Sequence, residues 1–198
     1  MLKKLLFLLL CLSIGNKTFS QNWDIDLLRE INVNRNTKLD GTFTFITNSV
    51  TPVTISTPLL VTGIGLIKKD SLFTRKGLYI GASILVGGGI TTVLKHSINR
   101  TRPFYDYPEI QKLASAGSPS FPSGHTSEAF SVATSLSLAF PKWYVIAPSF
   151  LWAGAMGYSR MHLGVHYPSD VLAGALIGAG SAYACHHLNL WLARRYRI

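Results

Sequence analysis

The chain has 198 residues, of which 47% are hydrophobic and only 14% charged, with a mean hydropathy of +0.26. A soluble domain carries roughly 25% charged residues, so a disordered chain, a nucleic-acid tail and a typical cytosolic enzyme surface are excluded. An integral membrane protein or a very apolar helical domain remains. The net charge of +10, from 19 Lys and Arg against 9 Asp and Glu, sits on an apolar background and favours anionic lipid or a phosphorylated substrate as partner over nucleic acid.

Lys3 and Lys4 precede an apolar run from Leu5 to Ile14 and a polar stretch ending at Ser20. That order predicts a secretory signal peptide over 1–20, since a run of ten residues is too short to span a bilayer. Cys11 is a poor lipidation site because Leu10 stands where a small residue is required. Cleavage would remove three lysines and no acids, lowering the charge from +10 to +7. It would also leave Cys185 without a disulfide partner, and the chain has no CxxC or metal-type Cys/His spacing. Residues 21–49 are mixed in polarity, with a helical pattern at Ile25, Leu28 and Ile31 and an aromatic pair, Phe43 and Phe45. They are expected to form an amphipathic lead-in lying on a surface.

Five uncharged apolar stretches follow, at about 50–67, 77–94, 129–140, 143–158 and 171–185. They are rich in Gly, Ala, Ser and Leu without alternation, which predicts helices rather than strands. The expected fold is therefore an all-α helical bundle over 50–198, with about five transmembrane helices. Gly87-Gly88-Gly89, and Gly174-Ala175 with Gly178, suit close helix approach. Several stretches fall short of the ~20 residues a span needs, which keeps an exported soluble bundle open. Charge favours the membrane. The segment Lys68-Lys69-Asp70…Arg75-Lys76, then Lys142, then Arg194-Arg195-Tyr196-Arg197 would all be cytoplasmic if the N-terminus is exported, as the positive-inside rule requires. The connections 95–128 and 159–170 then face outward together, at the periplasm or cell exterior.

Those two connections carry the chemistry in three clusters. Lys95, Arg100 and Arg102 place three cations in an outward loop that topology disfavours, so an anion is expected to hold them. Phosphate suits the Arg fork and the Lys point charge. In Phe121-Pro122-Ser123-Gly124-His125, Pro and Gly delay a helix that starts soon after, leaving Ser123, Gly124 and His125 at its N-terminus, where free N–H groups favour an anion. In Arg160…His166-Tyr167-Pro168-Ser169-Asp170, Pro168 is a suitable first helical residue. Asp170 then lies close enough to hold one ring nitrogen of His166 and leave the other free to attack. His96 and His162 flank these clusters and are read as structural, His186 and His187 as interfacial, Glu128 as a complement to a helix dipole, and Tyr105 and Tyr107 as interface aromatics. Arg100 is a possible helper of Arg102.

Together, Lys95-x6-Arg102-Pro103, Pro122-Ser123-Gly124-His125 and Ser159-Arg160-x5-His166-x3-Asp170 resemble the signature of the type 2 phosphatidic acid phosphatase (PAP2) superfamily, which includes lipid phosphatases, bacterial acid phosphatases and vanadium haloperoxidases. The resemblance covers residues 95–170 and fills every signature position. It implies His166 as nucleophile, Asp170 as its orienting partner, His125 as the acid that protonates the leaving group, and Lys95, Arg102, Ser123, Gly124 and Arg160 as the phosphate-binding set. It further implies a metal-independent hydrolase without cofactor, acting through a phosphohistidine on a lipid phosphate or diphosphate. Undecaprenyl diphosphate, phosphatidic acid, phosphatidylglycerol phosphate and lipid A phosphates all suit a cationic pocket that opens on a bilayer. The alternatives are an exported acid phosphatase on soluble esters and a vanadate-dependent haloperoxidase.

Overall fold

A computed structural model describes the backbone of residues 17–196 and the side chains of residues 23–195. Most of the expected signal peptide lies outside the described residues. All regular structure among them is helical: α1 Lys17–Asn32, a 3₁₀ turn Thr37–Leu39, α2 Asp40–Asn48, α3 Val50–Ile67, α4 Ser71–Ile98, a single turn α5 Pro103–Asp106, α6 Gly124–Ala139, α7 Trp143–His162 and α8 Pro168–Tyr196.

The ends of these helices follow local chemistry. The Asp70 carboxylate accepts the Phe73 N–H at 3.0 Å and starts α4. Asn99, in the left-handed region at φ 48°, ends it. Pro168 opens α8 at the position where a missing N–H costs nothing. After α7 the chain turns at Gly164, φ +70°, where an added Cβ would come within 2.2 Å of the Gln111 carbonyl oxygen, so only glycine fits.

α6 is the inner helix, packed against α8 most extensively and also against α7, α4 and α3. Two glycines of α8 permit the close approach. A Cβ on Gly174 would lie 2.5 Å from the Ser123 carbonyl oxygen, and one on Gly178 2.1 Å from that of Ser127. Gly65 against Thr74 and Gly77 against Thr62 do the same for α3 and α4. The triple glycine behaves differently from expectation: Gly87 faces Ser127 and Ser181 at ordinary distance, while nothing lies within 4 Å of Gly88 or Gly89.

Buried residues include many small polar ones, among them Ser83, Thr91, Ser127, Ser131, Ser135 and Ser181, with Val50, Ala129, Ala133, Ala153 and Met156 forming one apolar cluster. Large apolar side chains cover the outside, with Ile67 84% and Leu85 77% exposed. Small polar residues inside and leucines outside are the pattern of helices packed in lipid. Three described segments are long and apolar enough to cross a bilayer: Thr37–Ile67, which joins α2 to α3, then Ser71–Asp106 and Pro168–Arg195. α6, with 16 residues, and α7, with 20, fall outside that class. The chain is an all-α membrane protein, and the soluble bundle does not fit its apolar exterior.

The alternating helix directions separate the connections. At one end Phe73 and Lys76 lie on the Phe140 ring, which brings 68–76 beside Lys142. At the other end Ser120 N–H reaches the Arg100 carbonyl, Ser123 N–H the Asp170 carbonyl and Leu113 N–H the Leu163 carbonyl. All three sequence clusters therefore share one end of the bundle. The lead-in does not simply lie on a surface. α1 buries Asp24, Ile25, Leu28 and Asn32, and Ile25 and Leu28 pack with Ile110 and Tyr167 at that same end.

Candidate active site

His166 sits between α7 and α8, nearly fully buried, and Asp170 in the first turn of α8 is fully buried. Their i, i+4 spacing brings Nδ1 of His166 to 3.4 Å from Asp170 Oδ2. The opposite ring nitrogen, Nε2, faces Arg102 Nη1 at 3.4 Å. Asp170 is held on every side: its Oδ2 accepts the Ser120 hydroxyl at 2.5 Å and the Tyr167 N–H at 3.0 Å, and its Oδ1 accepts Arg100 Nη1 at 2.8 Å. Such a carboxylate cannot rotate away, and it fixes both the tautomer and the plane of the imidazole.

The cations close around that ring. Arg102 donates to the Ser118 and Val165 carbonyls, both at 2.7 Å, so its guanidinium is rigid before any ligand arrives. Lys95, on the last turn of α4, donates to the Pro119 carbonyl at 2.6 Å. Its Cε lies 4.0 Å from where a Cβ would stand on Gly124, which puts the ammonium beside the N-terminus of α6. Arg160, buried on the last turn of α7, donates to the Thr47 hydroxyl of α2, while its Nε has no hydrogen-bond partner. Buried guanidinium N–H groups are normally satisfied, so this free donor suits an anion.

Ser123 is the N-cap of α6, although its side chain does not cap the helix. Its hydroxyl accepts from Thr126 at 2.9 Å and its N–H holds the Asp170 carbonyl. The helix start is thereby tied to α8, and the first N–H groups of α6 lack helical acceptors, as at any helix start. His125 is half-buried in that first turn, ahead of the apolar stretch.

Burial is the main influence on both histidines. It pushes His166 down to about 3, opposed by Asp170 and assisted by Arg102 and Arg160. It pushes His125 down to about 4, with Arg160, Arg102 and Lys95 acting in the same direction. Both rings are neutral at neutral pH in the empty pocket. His166 then carries a free lone pair on Nε2 if Asp170 holds its Nδ1–H.

The structure thus brings together Lys95, Arg102, Ser123, Gly124, His125, Arg160, His166 and Asp170. The flanking residues settle as follows. His162 is buried on Asp40 at 2.8 Å and packs against Phe43, and His96 bonds the Thr92 carbonyl within its own helix. Tyr105 is exposed, but Tyr107 packs with the cluster of Ile25, Leu28 and Tyr167. Glu128 does more than face a helix dipole: it lines an apolar groove with Ile55, Leu59, Ile84 and Leu85 of α3 and α4. Sequence reasoning missed Ser120, Thr47 and Asp24. Ser120 stands inside the second cluster, yet nothing in its spacing marks it. Thr47 and Asp24 come from the supposed lead-in. Among the described residues no three His, Cys, Asp or Glu side chains are grouped to hold a metal, and the pocket's own donors are cations, which repel one.

The fold and site define a helical membrane protein with a buried, cation-lined pocket built around two histidines and one carboxylate. The PAP2 superfamily model matches residues 76–194, and the chain belongs to that superfamily. It is 34% identical over 109 residues to a lipid A 1-phosphatase of Rhizobium johnstonii, a match covering 52% of this chain and 43% of that protein, so the chain spans less than half of that relative's length. It is 32% identical over 179 residues to an undecaprenyl-diphosphatase of Sulfolobus acidocaldarius, covering 88% of this chain and 84% of the relative. The crystal structure of a transmembrane PAP2-type phosphatidylglycerolphosphate phosphatase from Bacillus subtilis superposes with a TM-score of 0.71 at 27% identity, over 93% of this chain and 92% of that one.

Proposed function

We propose that this protein is a metal-independent phosphatase that hydrolyses a lipid phosphate or diphosphate at the outer face of the plasma membrane. The observation that carries the reading is the line Asp170–His166–Arg102, in which a fixed carboxylate holds one ring nitrogen and a fixed guanidinium flanks the other. A phosphoryl group on Nε2 would lie among Arg102, Lys95, Arg160 and the first N–H groups of α6. These donors neutralise equatorial charge, which is the main requirement of phosphoryl transfer.

In the first step Nε2 of His166 attacks phosphorus, the N–P bond forms and the P–O bond to the lipid breaks. His125 gives its proton to the departing oxygen. In the second step water attacks the phosphohistidine, His125 takes the water's proton, and inorganic phosphate leaves with His166 restored. His125 is neutral in the empty pocket, so it takes up its proton as phosphate arrives and offsets the three cations that depress it. General acid assistance of this kind is worth about 10²–10⁴-fold.

The groove between α3 and α4, lined mostly by apolar residues with Thr54, Thr62 and Glu128 among them, supports a lipid over a soluble ester. So do the exposed leucines around it. The basic connections gathered at the opposite end support an outward-facing site. The test is phosphate release by detergent-solubilised protein from undecaprenyl diphosphate, phosphatidic acid, phosphatidylglycerol phosphate and lipid A, beside glucose 6-phosphate. Release from at least one lipid, far above that from the sugar phosphate and lost in His166→Ala, is expected. Preference for the sugar phosphate would refute the lipid reading.

A further inference from the structure

The carboxylate behind His166 has a second carboxylate behind it. Arg100 Nη1 donates to Asp170 Oδ1 at 2.8 Å and to the Ser169 hydroxyl at 2.7 Å, while its Nη2 donates to Asp24 Oδ2 at 2.8 Å. Asp24 is itself almost fully buried. Its Oδ1 accepts the Ser169 N–H at 2.7 Å and its Oδ2 the Ser169 hydroxyl. The guanidinium lies over the Tyr167 ring, 3.9 Å from its centroid, which holds its plane. Asp24 belongs to α1, outside the residues 76–194 that match the superfamily.

The charges give this arrangement a purpose. Three cations, Lys95, Arg102 and Arg160, already surround the histidines, and Asp170 is the anion that touches His166. Arg100 bonded to Asp170 alone would cancel that anion and draw its electron density away from the ring. With Asp24 on its far side, the guanidinium is shared between two carboxylates, and the three groups together keep one negative charge. That charge is needed when Nε2 bonds to phosphorus, because an imidazole that still carries its Nδ1–H then becomes cationic.

We propose that Asp24 is a positioning residue, which holds Arg100 and Ser169 so that Asp170 stays aligned on His166 and keeps its charge available to it. α1 is then part of the active site. The inference rests on His166 being the nucleophile of the proposed phosphatase.

Asp24→Asn keeps the shape of the side chain and removes its charge. Its kcat is expected to fall about tenfold or more, with little change in KM, because the substrate's phosphate is held by other residues. Phosphoenzyme formation in a single turnover should slow by the same factor, and Asp24→Glu should recover part of the loss. Adding Arg100→Gln to Asp24→Asn returns an uncancelled negative charge to Asp170, so the double variant should turn over faster than Asp24→Asn alone. A staple that merely fixes α1 predicts the reverse: each change lowers the melting temperature, the losses accumulate, and kcat follows the folded fraction. That result, or a wild-type kcat in Asp24→Asn, overturns the inference while leaving the phosphatase intact. A wild-type protein that releases no phosphate from any of the lipids overturns both.

Discussion

Gly178→Ala tests the packing that joins the two halves of the pocket. An added Cβ would stand 2.1 Å from the Ser127 carbonyl oxygen, 2.8 Å from the Ser131 nitrogen and 3.0 Å from the Ser127 carbonyl carbon. All three are backbone atoms of α6, so no side chain can swing aside. Restoring contact distance requires α6 and α8 to separate by about 1 Å, an overpacking strain of about 1–3 kcal/mol. Alanine returns about 1 kcal/mol of helix propensity, so the net loss of stability is about 0–2 kcal/mol, a modest fall in Tm. The effect on turnover is larger. α6 carries His125 and α8 begins beside His166 and Asp170, and a 1 Å misplacement of reacting groups can cost about 10²-fold. Gly180→Ala on the same helix gains the same propensity with nothing within 4 Å, and it should match or exceed the wild-type Tm with unchanged activity. Melting curves and phosphate release on the two variants decide the matter. If Gly178→Ala turns over like Gly180→Ala, the helix contact does not set the pocket's geometry.

His166→Ala should abolish turnover with little change in Tm, and rapid-quench labelling should find the phosphoryl group on His166; label on His125 would reverse the two roles. Turnover should survive EDTA and be inhibited competitively by vanadate, because the pocket's donors are cations; loss with chelator and recovery with Mg²⁺ would refute this. Both histidines have folded pKa values below the ordinary 6.5, at about 3 and about 4. The unfolded chain therefore binds more protons between pH 6.5 and about 4, and stability should fall as pH falls through that window. A Tm series from pH 7 to 4.5 checks this, and His125→Gln should flatten its slope. Ser118→Cys should react with an impermeant thiol reagent in cells whose outer barrier is open, whereas Lys69→Cys should not; the reverse pattern would put the pocket on the cytoplasmic side.

The sequence by itself determined what depends on near neighbours along the chain. Helix starts at Gly124 and Pro168 and the four-residue reach from His166 to Asp170 follow from local rules of capping and helical spacing, whereas the helices carrying Lys95 and Arg160 run on to Ile98 and His162, past the apolar stretches. The apolar stretches likewise gave five helices of the bundle, because hydropathy and composition are local properties. Tertiary structure decided everything that needs a partner far along the chain. Ser120 reaches Asp170 across 50 positions, Thr47 reaches Arg160 across 113, and Asp24 reaches Ser169 across 145. A buried charge requires partners, but the sequence does not say which of several serines, threonines or aspartates will supply them. Only the packing of α1, α2 and the connection before α6 onto the pocket end of the bundle makes that choice. The same packing turns a segment that reads as an amphipathic lead-in into a support behind the pocket, since Asp24 and Asn32 look like surface residues until Arg100 and Ser169, and the backbone of Gln111 and His162, are brought against them.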